Sequence, residues 1–336
     1  MSSDGDLDPR TVHILDTFTN CIMINFLGVF GIVGNSINIA VLSRHGFRES
    51  TNIVLIALST SDLLFSTFQP ITRLKCIVGY FDSSFAETVH AFVTVYFFLP
   101  KFVCLGISFW YVALIAIERF VAVYFPFQVS KIFTRKRMLV LVIFIFCFGF
   151  TMISPTFFAF QYHWRWNLVL NISLGAVDYT DFYITNHEFL DFYMWVGLNN
   201  LFCTLSFSVV LFCCLAICLK LMRSAVKREK LTTTSSGYDV KVVKMLVTVC
   251  TIYIFVAIPT ITLYSYYKPS FIFVSPVHRL MNDVSDILFL TNASSNFIVY
   301  VSMSKKFADT YKQLLGLRPR VKMHRGKTVN YRTNRL

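Results

Sequence analysis

Charge is scarce in this sequence: only 15% of its 336 residues are Asp, Glu, Lys or Arg. A soluble protein of this length needs a far more charged surface, so that class is excluded. Catalytic residues are as thin. The 7 histidines are scattered, mostly in loops and tails. No metal-ligand cluster and no histidine-plus-nucleophile constellation falls in the apolar stretches, so an enzyme is not expected. The 9 cysteines lie mostly inside apolar stretches, at spacings that suit neither zinc nor a disulfide framework. Cys21 and Cys76 lie near matching ends of the first two stretches; two free thiols are expected there, with a bridge as the alternative. No cysteine follows Cys250, which excludes a palmitoylated tail. A cleavable signal peptide is not evident, because the start is acidic and the first apolar run is too long for one. The first span is expected to serve as its own insertion signal.

What is abundant is apolar. Hydrophobic residues make up 55% of the chain. They gather in runs at roughly 18–42, 51–74, 88–122, 138–160, 190–219, 240–267 and 278–302. Crossing ~30 Å of hydrocarbon takes about 20 helical residues, which each run supplies. A β-barrel would show short alternating strands instead. The expected fold is an all-α membrane protein, a seven-transmembrane helix bundle. A tail (1–17) precedes the bundle (18–302), and an amphipathic helix (303–316) and a basic tail (317–336) follow it. Apolar residues recur at helical spacing through Ser304 to Leu315, the pattern of a short cytoplasmic eighth helix lying on the inner leaflet.

Most of the 31 basic residues fall after the first and third spans, around the junction of the fifth and sixth, and in the tail. Asp4, Asp6, Asp8 and Asp16 precede or open the first span. The positive-inside rule then sets the N-terminus outside and the C-terminus in the cytoplasm, at the plasma membrane, which requires an odd number of spans. The net charge of +13 could indicate nucleic acid. Its confinement to cytoplasmic segments points to anionic lipid of the bilayer instead, and no nucleic-acid partner is expected.

Several polar residues break the apolar pattern. A charge in hydrocarbon costs at least ~2.5–3.5 kcal/mol, so such residues usually have work to do. Glu118-Arg119-Phe120 closes the third run just before Pro126, which sets Arg119 at a water boundary where it can bind a neighbouring helix and release it. Lys101 precedes Arg119 by 18 residues, about 27 Å at 1.5 Å per residue. It therefore lies near the outer cavity, at the depth of Asp286 and with Asp283 one turn above. Lys101 either pairs with Asp286 or receives an acidic group of a ligand. The long outer loop, about 161–189, has two β-rich runs around Gly175, the pattern of a hairpin lid. Trp164, Trp166 and Phe158 are candidates for its entrance. Asn171-Ile172-Ser173 is a glycosylation sequon there, whereas Asn292-Ala293-Ser294 lies within the seventh span and is expected to stay unmodified. Leu231 to Gly237 reads as a solvated linker whose hydroxyls are also candidate phosphorylation sites.

Seven spans, Glu118-Arg119-Phe120 before Pro126, Gly34-Asn35, Leu58 to Asp62, Pro155, Pro259, and Asn292 to Asn296 with Tyr300 occur in one order. Together they resemble a rhodopsin-like G-protein-coupled receptor over all but the two tails. The Asn296-Phe297-Ile298-Val299-Tyr300 variant is similar to invertebrate peptide receptors and molluscan chemosensory-type receptors. The resemblance implies an extracellular ligand, a peptide or a small chemosensory molecule, and a heterotrimeric G protein as partner. It implies that Asn35, Asp62, Ser108, Asn292 and Asn296 surround an allosteric sodium ion, or else form a hydrogen-bond network without one. It further implies that Asp239 faces Arg119 as a lock, with Glu118 as a local partner and Tyr300 closing the seventh span. Capping of the sixth helix by Asp239 is the alternative.

The departures are specific. No cysteine stands at the outer end of the third span or between 148 and 202, so the family's usual bridge cannot form. Ala257 occupies the place of a bulky tryptophan, and the fifth span lacks its usual proline and tyrosine. A seven-helix transporter or channel is the other reading of the architecture, but no inverted repeat is visible.

Overall fold

The computed structural model describes residues 8–47, 49–229, 237–266, 276–314 and 316, and leaves out the side chains of 9, 12, 13, 195, 224–246 and 263–279. The first span is a continuous rod of α1 (Pro9–Thr17), a π-helical turn (Phe18–Met23) and α2 (Ile24–His45). The second, α3 (Ser50–Ile71), breaks just past Pro70, and the short α4 (Leu74–Val78) follows. The third span is α5 (Ser83–Tyr124), then α6 (Pro126–Ile132). The fourth, α7 (Arg135–Ile153), ends in a 3-10 turn before the strands β1 (Phe160–Asn167) and β2 (Ile172–Tyr179). The helix α8 (Asp181–Asp191) leads through π-helical turns into the fifth span, α9 (Leu205–Glu229). The last elements are α10 (Gly237–Tyr266), α11 (Pro276–Met303) and α12 (Lys305–Leu314).

Among the described residues, six helical stretches are long and apolar enough to cross a membrane, and Val247–Thr262 within α10 is a shorter seventh. The N-terminal stretch expected as a tail is helical from Pro9 onward, because nothing between there and the first span breaks the helix. The bundle closes through α2 on α3 and α11, α3 on α5, α5 on α9, α9 on α10, and α10 on α11. The α7 helix packs from outside on α3 and α5.

Local chemistry sets the ends of α5, the helix at the centre. Asp82 Oδ1 accepts the amides of Ser84 (2.8 Å) and Phe85 (2.9 Å) as an N-cap. At the far end Phe125 leaves the helical region because Pro126 follows it. Between those ends Val112, Ala113, Ile115 and Ala116 are fully packed. The outward faces are as apolar as the core: Phe144, Phe146 and Phe150 on α7 and Phe255 on α10 are more than half exposed. Such a surface suits hydrocarbon, while the polar side chains turn inward to pair.

The first two spans approach closely. A Cβ at Gly28 would collide with the Pro70 ring, so only glycine permits the contact. Above it, α4 lies against the π-helical turn of the first span, and Cys21 and Cys76 are joined with their Cα atoms 5.7 Å apart. This corrects the expectation of two free thiols. The pairing depends on the break after Pro70, which turns α4 back toward the first span.

The hairpin exists, but its turn is not at Gly175. Residues 168–171 make the turn, with Asn171 at a left-handed φ of 53°, and Asn167 Oδ1 accepts the Val169 and Leu170 amides at 2.9 and 3.1 Å. Gly175 lies inside β2 opposite Trp164, where a Cβ would fall 2.8 Å from Tyr162 Cε2, and its amide donates to Thr88 Oγ1 of α5 (3.1 Å). The glycine allows a ring to lie across the strand.

The disulfide closes a loop of 55 residues. Bridges of this kind contribute about 2–4 kcal/mol. Cys21→Ala with Cys76→Ala is expected to lower the melting temperature of the purified chain by several degrees. Reduction should do the same to the parent protein and leave the double variant unchanged.

Candidate functional site

The interior polar groups fall into three layers along α5. The first lies toward the hairpin. There Asp286 Oδ2 accepts from Gln69 Nε2 (2.6 Å), from the Arg73 guanidinium (2.8 Å) and from Lys101 Nζ (3.3 Å). Arg73 also meets Asp283 Oδ1 at 2.8 Å. Asn20 Nδ2 bridges Asp283 Oδ2 (2.9 Å) to Asp16 Oδ1 (3.0 Å), which links the first span to the seventh. Lys101 is buried, with Nζ 5.1 and 5.0 Å from the ring centres of Phe98 and Phe102. Those two rings also line an apolar cavity of about 120 Å³ with Phe109, Phe202, Phe289 and Met194.

Lys101 and Asp286 thus come together, and Asp283 lies beside them. The sequence reading missed that Asp286 is shared. Arg73, Gln69 and Asn20 carry as much of the layer as Lys101 does. Arg73 was legible as a lone arginine just past Pro70 in an apolar run, a signal of the same kind as Lys101. Trp164, Trp166 and Phe158 are more than half exposed and line none of this cavity. Trp164 packs on Tyr162 at 5.8 Å and lines a separate groove between the hairpin and α5, because strand alternation places it on the same face as Tyr162.

In the middle layer, Ser108 Oγ donates to Asp62 Oδ1 (2.5 Å) and Asn296 Nδ2 to Asp62 Oδ2 (2.8 Å). Asn35 Nδ2 donates to the Gly31 and Ala293 carbonyls, both at 3.0 Å, and Asn292 is buried one turn before Asn296. Asp62 has no cationic side chain in ion-pair contact among the described residues. The Asp62 carboxylate and the Ser108 hydroxyl are oxygen groups that suit a hard monovalent cation such as sodium, while Asn296 and Asn35 turn their amide nitrogens to the oxygens they meet. Ala293 adds no side-chain oxygen to them.

The third layer lies at the other end of α5. Glu118 is buried and accepts from Ser50 Oγ (3.0 Å) and Thr51 Oγ1 (2.8 Å) through Oε1. Its Oε2 meets the Arg119 guanidinium at 3.2 Å, and that guanidinium also donates to Thr51 Oγ1. The start of α3, overlooked in the sequence, therefore holds the pair. Asp239 belongs to α10, but its side chain lies outside the described residues, as does the segment 230–236 with its hydroxyls. Tyr300 is buried against Phe307 of α12, with ring centres 5.6 Å apart. Its hydroxyl has no partner among the described residues.

Between the layers, Tyr253 lies one turn before Ala257 in α10. It is wholly buried, packs on Phe109 at 5.2 Å, and shares a hydrogen bond with Ser206 Oγ of α9 (2.8 Å). This tyrosine was not singled out in the sequence, where it reads as one more aromatic in an apolar run. Asn171 stands exposed on the hairpin turn, while Asn292 is buried.

A bundle of membrane-length helices with polar layers strung through its core defines a polytopic membrane protein. The sequence profile of the 7 transmembrane receptor (rhodopsin family) matches residues 34–300, and the chain belongs to that family, whose members are receptors and not enzymes. It is similar to the allatostatin-A receptor of Bombyx mori, 29% identical over 123 residues. That match takes in 35% of this chain and 32% of the relative, so the chain spans about a third of that receptor's length. It is also similar to growth hormone secretagogue receptor type 1 of Oryctolagus cuniculus and of Mustela putorius furo. Each is 25% identical over 308 residues, or 87% of this chain and 79% of the relative.

Removing one member of a buried, paired charge set costs about 3–5 kcal/mol. Asp286→Ala is expected to fall in that range, since it strands Lys101 and leaves Arg73 with Asp283 alone. Lys101→Met should cost distinctly less, because Asp286 keeps Arg73 and Gln69. Thermal melts of the two purified variants check the order; a reversed order would contradict the sharing described.

Proposed function

We propose that the chain is a receptor that passes the binding of an extracellular ligand to a heterotrimeric G protein. The observation that carries this reading is the run of polar layers along one helix. Lys101 beside a cavity and Arg119 beside the far end are about 27 Å apart on α5. A ligand that favours one packing of the bundle shifts its population, and the far layer reports the shift. The orientation that goes with this is N-terminus outside, hairpin outside and Arg119 at the cytoplasmic face of the plasma membrane. The distribution of basic residues supports it. Relatives that are receptors for allatostatin-A and for a growth hormone secretagogue favour a peptide ligand over a small chemosensory molecule.

At the cytoplasmic end, Glu118 and Thr51 hold Arg119 in the resting packing. Asp239 acts as the further lock, released as α10 swings outward to admit the tail of a G-protein α-subunit. In the middle layer Asp62, Ser108, Asn292 and Asn296 would hold sodium, which supplies the missing positive charge and favours the resting packing. Asn171 carries a glycan.

Cells carrying a promiscuous α-subunit test the coupling. Peptide libraries should elicit a second messenger without solute uptake or current, and transport without messenger would replace the receptor reading. Asp239→Ala is expected to raise basal messenger several-fold; an unchanged basal level removes the lock. Replacing sodium with N-methylglucamine should lower the melting temperature of the parent but not of Asp62→Asn. Equal melts in both salts would remove the ion. Glycosidase treatment should sharpen the gel band of the parent and leave Asn171→Gln unaffected; an insensitive parent argues against an outside hairpin.

A further inference from the structure

The hydrogen bonds around Asp283 and Asp286 dictate how two buried amides point. Asn20 gives its Nδ2 hydrogens to Asp16 Oδ1 (3.0 Å) and Asp283 Oδ2 (2.9 Å), and Gln69 gives Nε2–H to Asp286 Oδ2 (2.6 Å). An ionised carboxylate only accepts, so flipping either amide would set oxygen against oxygen. The orientation is forced. It leaves Asn20 Oδ1 and Gln69 Oε1 as buried acceptors with no partner among the described residues. Gln69 is 0% exposed and Asn20 7%. Buried acceptors are rarely orphaned, and two in one cluster call for an occupant.

The charges run the same way. Among the described residues, Asp16, Asp283 and Asp286 face two cations, Arg73 and Lys101, which leaves the cluster one positive charge short. Arg73 is already divided between two carboxylates. The cluster reaches the surface at one end, where Asp16 is exposed and the Arg73 side chain is 26% exposed. One donor, Arg73 Nε, is also unpartnered, and a carbonyl next to a ligand's cationic group would meet it.

We infer that this cluster binds a cationic N–H donor of the ligand, an ammonium or a guanidinium such as a peptide's N-terminus, lysine or arginine presents. Asp16, Asn20 Oδ1, Asp283 and Gln69 Oε1 receive it, and Asp283 is drawn from Arg73 as it docks. An acidic group at Lys101 fits worse, because it adds a fourth negative charge beside two unmet acceptors. Ordered water would satisfy the oxygens but not the charge. The consequence for signalling rests on the receptor reading above; the binding does not.

Purified full-length chain in lipid nanodiscs is melted with n-butylamine, n-butylguanidine, n-butanol or butyrate. The two cations are expected to raise the melting temperature saturably, and the alcohol and the anion to leave it unchanged. Asp16→Asn is an exposed change that spares the fold, and it should weaken apparent cation affinity about tenfold. Gln69→Met should weaken it similarly. Stabilisation by butyrate, equal cation shifts in the parent and both variants, or no shift with any probe would each overturn the inference, the last leaving water as the sole occupant. Nucleotide exchange on a G protein is followed with the same preparation. Cation binding without any exchange would refute the receptor reading alone. Basal exchange without cation binding would refute the docking site alone.

Discussion

A buried ionic group in hydrocarbon must find its partners inside the protein, because neither water nor lipid supplies them. In this chain the constraint bears hardest on α5, which carries Lys101, Ser108 and the Glu118–Arg119 pair through the centre of the bundle. They meet two neighbouring helices at three levels. Lys101 reaches α11, Ser108 reaches the middle of α3, and Glu118 reaches the start of α3. The polar layers therefore fix the register of the spans against one another, which apolar packing alone would specify weakly. A bundle held at a few polar levels can repack at one and transmit the change to another.

The layer near the hairpin has an unusual support. The family's usual tether between the third span and the following outer loop is absent, and the Cys21–Cys76 bridge lies elsewhere, between the first span and α4. Arg73 stands three residues before Cys76, and Asn20 stands immediately before Cys21. The covalent bond thus lies next to the two side chains that hold Asp283. The covalent tie at this end joins the first span to α4 and does not involve the hairpin. The hairpin rests on α5 through the Gly175 amide and Thr88.

The middle of the bundle is closed by aromatic rings. Ala257 is small and wholly buried, and Tyr253 one turn earlier touches Phe109 and hydrogen-bonds Ser206. Phe109 in turn packs on Phe289 of α11 at 5.3 Å, so the third, fifth, sixth and seventh spans meet around two aromatic rings. A motif-based reading registers the small residue at Ala257 but does not single out Tyr253, because any of several aromatics in α10 could face inward.

The sequence by itself determined the class and the number of spans, because hydrophobic length and the spread of basic residues are properties of the chain read along one dimension. It also marked Lys101, Asp286, Asp62 and Arg119, since an ionisable residue in an apolar run stands out whatever its neighbours are. Only the tertiary structure decided the partners. That Asp286 is shared among Gln69, Arg73 and Lys101, that Thr51 holds Arg119, and that Cys21 bonds Cys76 all depend on helix rotation and on the break after Pro70. Hydrophobic periodicity in lipid carries little information on rotation, because the outer face of each helix is as apolar as the inner one. Pairing of the few polar groups settles it, and that pairing exists only once the helices are side by side.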